Sequence, residues 1–295
     1  MDGILNVLKP PGLTSHDVVN RIRRLNGVKK CGHSGTLDPG AAGVLPICIG
    51  QATRVSEYFL MMPKTYRAEL ALGIATDTED ASGQIIDEKI VPEITQEMIC
   101  LAFDELIGDS YQMPPMYSAV SKGGVKLYKL ARLGQTIERE SRLIQIYKIE
   151  LLELRDKTIL FDVICSRGTY IRTLCTDIAR RFDTCGHMSF LLRKAVGPFT
   201  VENSLTLEEL NQLDQREDLE KALYPLDSAL GNLPAISVTE EDAAKILNGN
   251  AVRIPDNNSE QNIIVYDPTG KLLALALVID GWLKPRKVFS QTELT

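Results

Sequence analysis

Along KTYRAELALGIATDT, apolar and polar residues alternate, with Tyr66, Ala68, Leu70, Leu72 and Ile74 on one face. Period two predicts a strand. The opening ILNVLKPPG reads as a short strand stopped by two prolines, and TSHDVVNRIRRLNG as a helix. In that helix Val18, Ile22 and Leu25 fall at helical spacing, Thr14 or Ser15 is the N-cap, and Gly27 is the stop. QATRVSEYFLMM is helical by pattern, and residues 95–108 form an amphipathic helix capped by Thr95. IQIYKIELLELRD and KTILFDVICS predict two strands joined by a turn at Asp156 and Lys157. SRGTYIRTLCTDIARRF turns into a helix. Residues 111–142, with two prolines, a Gly-Gly pair and many cations, read as an insertion. An acidic stretch then leads to PLDSALGNLP, a link to a second unit. From Ile236 a short helix and strand-turn-strand segments, with DPTG as a turn, predict a small β-domain. The expected fold is α+β: a catalytic domain over 1–231 on a mixed, mostly antiparallel sheet, and a β-domain over 232–295.

Composition changes this picture little. An apolar share of 44% and a charged share of 24% are ordinary for a globular chain. No apolar run approaches membrane-span length, and MDGILNVLKPPG is no secretory signal, so a cytoplasmic location and no membrane partner are expected. The six cysteines include no C-x-x-C pair and the three histidines show no ligand spacing, so neither a metal nor a disulfide framework is expected. Charge is more informative. The net value is −6, yet residues 1–76 carry +4, 77–110 carry −9, 111–200 carry +7, 201–242 carry −9 and 243–295 carry +1. Segregated charge of this kind can focus a polyanion onto one face, if the sequence blocks become spatial patches.

Three candidate chemistries fall away. DTEDASGQIIDE (77–88) has acids at calcium-loop positions but Ser82 where such a loop wants glycine, so it reads as a turn. The glycines of GHSGTLDPGAAGVLPICIG (32–50) do not fit G-x-G-x-x-G, and no G-K-[ST] follows. No G-x-S-x-G marks a serine nucleophile. Asp38 remains. A turn would hold such an aspartate as readily as a catalytic loop. Carboxylates serve as nucleophiles at sugar carbons, and to stay ionised in a desolvated site Asp38 needs a cation. Arg167 and Arg172 of SRGTYIR, with Tyr170 between them, are candidates, able to grip a carboxylate through two hydrogen bonds.

GHSGTLDPGAAGVLPICIG resembles the catalytic motif of the bacterial TruB-type synthases that form pseudouridine at uridine 55 in the TψC arm of tRNA. LNVLKPPGLTSHDVV, KTYRAEL, DTEDASG, QMPPMYSAVSKGGVKLY, SRGTYIRTL and HMSFLLRKAVGPF resemble further family blocks, in family order. VRI, VYDPTGKLLALAL and LKPRKVF resemble a PUA-like RNA-binding domain. The resemblance implies that Asp38 is the nucleophile acting on a flipped-out uridine. It implies that Arg172 pairs with Asp38, and that Tyr66 lies against the uracil as its proposed proton acceptor. His33 matches a residue filling space behind the flipped base, Tyr170 and Leu191 match substrate-contacting positions, and Lys9 with Pro10 matches a motif beside the site, so His33, Tyr170, Leu191 and Lys9 are the expected substrate-binding residues. Leu192 departs from the family pattern, which carries arginine there, and Lys194 is the nearby cation that would compensate.

The implied reaction breaks the N1–C1′ bond, turns the base and rejoins it through C5, so no cofactor is expected. Attack at C1′, a glycal route and addition at C6 all suit a carboxylate. The expected partner is tRNA, gripped by basic segments 21–30 and 122–142, and the chain is expected to act as a monomer without a protein partner. Two rivals stand beside this reading: a tRNA-binding or folding protein with secondary catalysis, and a guide-RNA-dependent synthase.

Overall fold

The computed structural model describes residues 1–25, 28–213, 216–231, 233–254 and 260–289. Strand β1 (Gly3–Lys9) is almost wholly buried and stops at Pro10. Helix α1 (Ser15–Ile22) begins at a reciprocal cap: the Asp17 N–H donates to the Thr14 hydroxyl, and the Thr14 N–H donates to the Asp17 carboxylate. It ends at Ile22, before Leu25, and the expected stop Gly27 lies outside the described residues. Strands β2 (Cys31–His33) and β3 (Ala42–Ile49) follow, then a tight helical turn and α2 (Ser56–Met61). Strand β4 (Lys64–Leu72) has the alternation expected, with Ala68, Leu70 and Leu72 buried and Tyr66 half-buried. Ile74 does not continue it: Gly73, at φ +92°, turns the chain into β5 (Ile74–Thr76), which pairs with β6 (Ile85–Glu88).

Thr95 caps α3 (Gln96–Asp104), which leads to β7 (Gly108–Gln112). Strands β8 (Ser121–Lys122) and β9 (Val125–Lys126) and helix α4 (Leu127–Arg132) form an excursion between β7 and β10 (Arg142–Arg155). Gln112 pairs directly with Arg142, so residues 113–141 leave the sheet and return to the same rung. β10 and β11 (Thr158–Cys165) form the expected hairpin, turning at Asp156 in the left-handed region (φ +44°). Then come α5 (Ile171–Arg180), β12 (Gly186–Val196), β13 (Phe199–Thr200), α6 (Leu207–Gln212) and α7 (Arg216–Lys221). The last elements are β14 (Ala235–Ser237), α8 (Glu240–Leu247), β15 (Val252–Arg253), β16 (Gln261–Tyr266), β17 (Leu272–Ile279) and β18 (Trp282–Val288).

The main sheet runs β1-β3-β12-β4-β11-β10-β7, with β2 attached to β3 and β13 to β12; a five-stranded sheet runs β14-β16-β17-β18-β15. Pairing is antiparallel throughout both sheets except at β3/β12 and β14/β16, so the fold is α+β and mostly antiparallel. Helices α3 and α5 bury Ile99, Phe103, Leu174 and Ile178 against Leu70, Phe161 and Val163. Helices α1, α6 and α7 cover Leu5, Val7, Leu45 and Ile47. Ile264, Leu275 and Phe289 of the second sheet region join Ile4, Val44 and Phe59 in one cluster. Each such side chain contributes about 1.5–3 kcal/mol on full burial. The expected link PLDSALGNLP is therefore not a free tether, because Ala229 and Leu230 are buried in that cluster.

Candidate active site

Two strands share one edge of β3. β2 pairs with its end (His33 with Ile47), and β12 pairs in parallel with its start (Leu192 with Ala42, Arg193 with Gly43). Residues 34–41 cross the gap between them. Gly43 makes the β12 approach possible: at φ +124° its missing Cβ would lie 2.3 Å from the Arg193 carbonyl oxygen. The loop backbone is then tied down in detail. The Ser34 N–H and hydroxyl both donate to the Pro46 carbonyl, at 3.1 and 2.9 Å. Ser15 Oγ accepts the Leu37 N–H at 2.8 Å and donates to its carbonyl at 3.0 Å. Lys9, wholly buried, donates to the carbonyls of Leu13 (2.7 Å), Pro10 (2.9 Å) and Pro39 (3.2 Å). Arg193, also buried, donates to Val44 (2.7 Å), Thr36 (3.3 Å) and Gly35 (3.3 Å) carbonyls.

The Asp38 side chain leaves this braced loop 38% exposed, and its Oδ2 lies 3.0 Å from Nε of Arg172, itself 5% exposed. The predicted pair meets, but not as a two-bond fork. The other guanidinium nitrogens are spent on backbone: Nη1 donates to the Thr78 carbonyl and Nη2 to the Tyr117 carbonyl, both at 2.9 Å. Asp80 Oδ2 stands 3.9 Å from Nε, a second carboxylate on the same cation. Arg167 is elsewhere, with Nη1 2.8 Å from the Met61 sulfur. Arg172 is aimed by the start of α5. There the buried Gln112 amide accepts the Tyr170 N–H at 2.7 Å and donates to the Tyr170 carbonyl at 3.1 Å.

Tyr66 and Arg193 are cross-strand partners on β4 and β12. Burial pushes the Tyr66 phenol up, with Arg193 opposing, so at neutral pH Tyr66 carries its proton. His33 accepts the Gly35 N–H at Nδ1 (3.3 Å), which leaves its proton on Nε2. Burial first, then Arg193 and His16, lower its pKa, so the ring is neutral at pH 7. Leu191 is buried with Leu37 and Ala41 in the cluster that half-buried Tyr66 packs against.

A protein-family model of the N-terminal domain of TruB family pseudouridylate synthases matches residues 23–171, and one of the tRNA pseudouridylate synthase B C-terminal domain matches 172–231. The chain belongs to the TruB family. A tRNA pseudouridine synthase B from Alkaliphilus oremlandii is 50% identical over 252 residues, covering 85% of this chain and 83% of that one. That of Geobacillus thermodenitrificans is 44% identical over 301 residues, covering 98% and 100%. Among solved structures, one of a Cbf5-Nop10-Gar1 complex aligns with TM-score 0.77 and 27% identity, over 98% of this chain and 85% of that chain. An H/ACA RNP bound to a substrate RNA containing 2′-deoxyuridine aligns equally well, TM-score 0.77 at 25% identity, over 99% and 86%. The two TruB matches meet at Arg172, yet the second carries β12, which lies between β3 and β4 of the main sheet.

Two sequence expectations change. Lys9 has no surface for a substrate: it is wholly buried and its ammonium is committed to three carbonyls, so it braces the loop. Lys194 does not replace a cation for the site at Leu192, because its Nζ lies 2.7 Å from Asp162, which also holds Arg67. Three residues of the site went unread. Asp80 sat in a segment read as a turn and as a family block, with no role of its own; it is a turn, and one packed on Arg172. Arg193 was one letter of a family block, and its role depends on the β12–β3 pairing, which local periodicity does not encode. Gln112 looked like the edge of an insertion. A buried polar residue in a strand is the one signal that marks it.

Proposed function

We propose that this TruB-family isomerase converts uridine 55 of the TψC arm of tRNA to pseudouridine, with Asp38 as the nucleophile. The observation that carries the reading is a carboxylate half open to solvent and held by a buried guanidinium, Asp38 against Arg172. A group so placed is aimed and reachable by a ribose, which a buried structural pair would not be. The target uridine must leave its stack to reach it, at about a few kcal/mol. Tyr66 supplies a ring for the flipped base, a contact on the order of 1–3 kcal/mol. As a neutral phenol it takes part in proton movement at C5 as a hydrogen-bonding relay. Neutral His33 fills space without adding charge, and Tyr170 and Leu191 wall the base. The rearrangement is redox-neutral and intramolecular, so these side chains suffice and no cofactor is invoked.

We read residues 1–231 as the catalytic body and 232–295 as a PUA-like RNA-binding unit. Basic α4, with Lys122, Lys126, Lys129 and Arg132 in or around it, is the proposed phosphate grip. The chain is read as a cytoplasmic monomer that needs neither guide RNA nor partner protein. Replacing Asp38 with Asn tests the assignment, with isomerisation and tRNA binding measured separately. Isomerisation is expected to vanish while affinity stays within about threefold, since phosphate contacts dominate binding. An active Asp38→Asn variant would remove Asp38 from the mechanism.

A further inference from the structure

The 113–141 excursion hydrogen-bonds the catalytic pair at Tyr117. The Tyr117 carbonyl accepts from Arg172 Nη2 at 2.9 Å, and the Tyr117 hydroxyl donates to Asp77 Oδ2 at 3.2 Å. Asp77 is fixed in turn, since its Oδ1 accepts the Gln84 N–H at 2.8 Å and its own N–H donates to the Gln84 carbonyl at 3.0 Å. The next residue, Thr78, gives its carbonyl to Arg172 Nη1. A closed circuit results, from Tyr117 to Asp77 and Thr78, on to Arg172, and back to Tyr117. Of its links to the excursion, only the phenol bond is made by a side chain of the excursion. The excursion's cationic part is wired to the same point. The Tyr128 N–H at the start of α4 donates to the Ser118 carbonyl at 3.1 Å, and Leu127 N–H to Val120 at 2.8 Å. Force on α4 therefore reaches the residue beside Tyr117.

We propose that Tyr117 is a positioning residue that couples the seating of the 113–141 excursion to the direction of Arg172, and through Arg172 to the aim of Asp38. An RNA that engages α4 through its phosphates seats the excursion; the Tyr117 phenol, tied to Asp77, holds the Tyr117 carbonyl where Arg172 needs it. The guanidinium then keeps Nε on Asp38 instead of swinging toward Asp80, the competing carboxylate 3.9 Å away. Grip on the substrate and alignment of the nucleophile become one event. The inference rests on the synthase reading above.

The test is Tyr117→Phe in the full chain, which removes one oxygen and leaves the ring. Single-turnover isomerisation at saturating tRNA is expected to fall about tenfold, the size expected for losing one hydrogen bond to a carboxylate. The tRNA Kd should stay at its wild-type value, and the melting temperature should fall by no more than about 4 °C. Asp77→Ala should cost at least as much, and adding Tyr117→Phe to it should cost nothing more, because both remove the same link. Wild-type single-turnover rates in Tyr117→Phe would overturn the proposal, as would a loss confined to Kd, or losses that multiply in the double variant. A wild-type chain that did not isomerise tRNA at all would instead overturn the functional reading.

Discussion

On the α5 side of the 34–41 loop, a buried arginine faces carboxylates: Arg172 meets Asp38 at 3.0 Å and Asp80 at 3.9 Å. On the β1 and β12 side, buried cations face backbone. Lys9 and Arg193 donate to carbonyls of the loop and of β3, and neighbouring Lys64 donates to the carbonyls of Phe59, Leu60 and Met62 at the end of α2. The contrast separates two uses of buried charge. An ion pair that is partly open to solvent leaves the carboxylate free to react. A cation spent on carbonyls fixes a backbone and reacts with nothing, which is what a loop carrying a nucleophile requires of its foundations. Substitutions on the two sides should therefore fail differently.

Arg172→Met gives the largest effect on chemistry. Losing an oriented charge at the reacting group typically costs a hundred- to a thousandfold in rate, and kcat should fall by about that factor. Stability should fall as well, because the Thr78 and Tyr117 carbonyls lose their donor along with Asp38, at about 1–3 kcal/mol for each group left without a partner. Arg193→Met should shift the proportions toward stability. Three carbonyls lose their donor, that of Val44 in a buried position, at about 1–3 kcal/mol each where nothing replaces it, so the midpoint of urea unfolding should drop about as far as for Arg172→Met. Its kcat should fall about ten- to a hundredfold, through a loosened loop. Equal ratios of rate loss to stability loss in the two variants would erase the distinction.

That distinction was only half legible in the sequence. Asp38 and Arg172 were legible through the family resemblance, since a turn holds an aspartate among glycines as readily as a catalytic loop and SRGTYIR offers Arg167 as well as Arg172. The β10–β11 hairpin and the α1 cap were legible too, since turn and cap chemistry are local. Arg193 was not. Its partners lie about 150 residues away in sequence, and they meet only because β12 inserts between β3 and β4. Lys9 misled for the opposite reason: a lysine beside a predicted site looks like a ligand contact until its burial is known. Asp80 was correctly placed in a turn, and only tertiary packing gave that turn a second role.

The lysines sharpen the comparison through pH. Burial lowers Lys9 to about 8, with Asp38 pulling the other way, and burial lowers Lys64 to about 8, with Arg193 adding to the shift. For each, the folded pKa lies below the unfolded value of 10.5. Between the two values the unfolded chain binds more protons, so this contribution to stability rises with pH across about 8 to 10.5. The unfavourable charged burial is fully present below pH 8. Activity should move the other way, because a neutral Lys9 gives up a donor to the loop carbonyls. A kcat that declines above about pH 8 in the wild type, and a Lys9→Met variant lacking that limb, would be the signature.

The smallest effect belongs to the cation that looked like a substitute for the family arginine at position 192. Lys194 and Arg67 share Asp162, at 2.7 and 2.8 Å, and burial of Asp162 is outweighed by these two partners, so its pKa is lowered. Arg67 keeps Asp162 company when Lys194 is gone, and all three groups reach solvent. Lys194→Met should therefore cost no more than about 1 kcal/mol, as for exposed pairs generally, and the loss should shrink further in high salt. Because Asp162 belongs to β11 and none of the contacts made by Asp38 or Arg172, kcat should stay within about twofold of wild type. A tenfold loss of kcat with stability intact would mean that Lys194 leaves Asp162 for the substrate. Lys194 would then stand in for the missing arginine, and the line between reacting charge and bracing charge would have to be redrawn to include it.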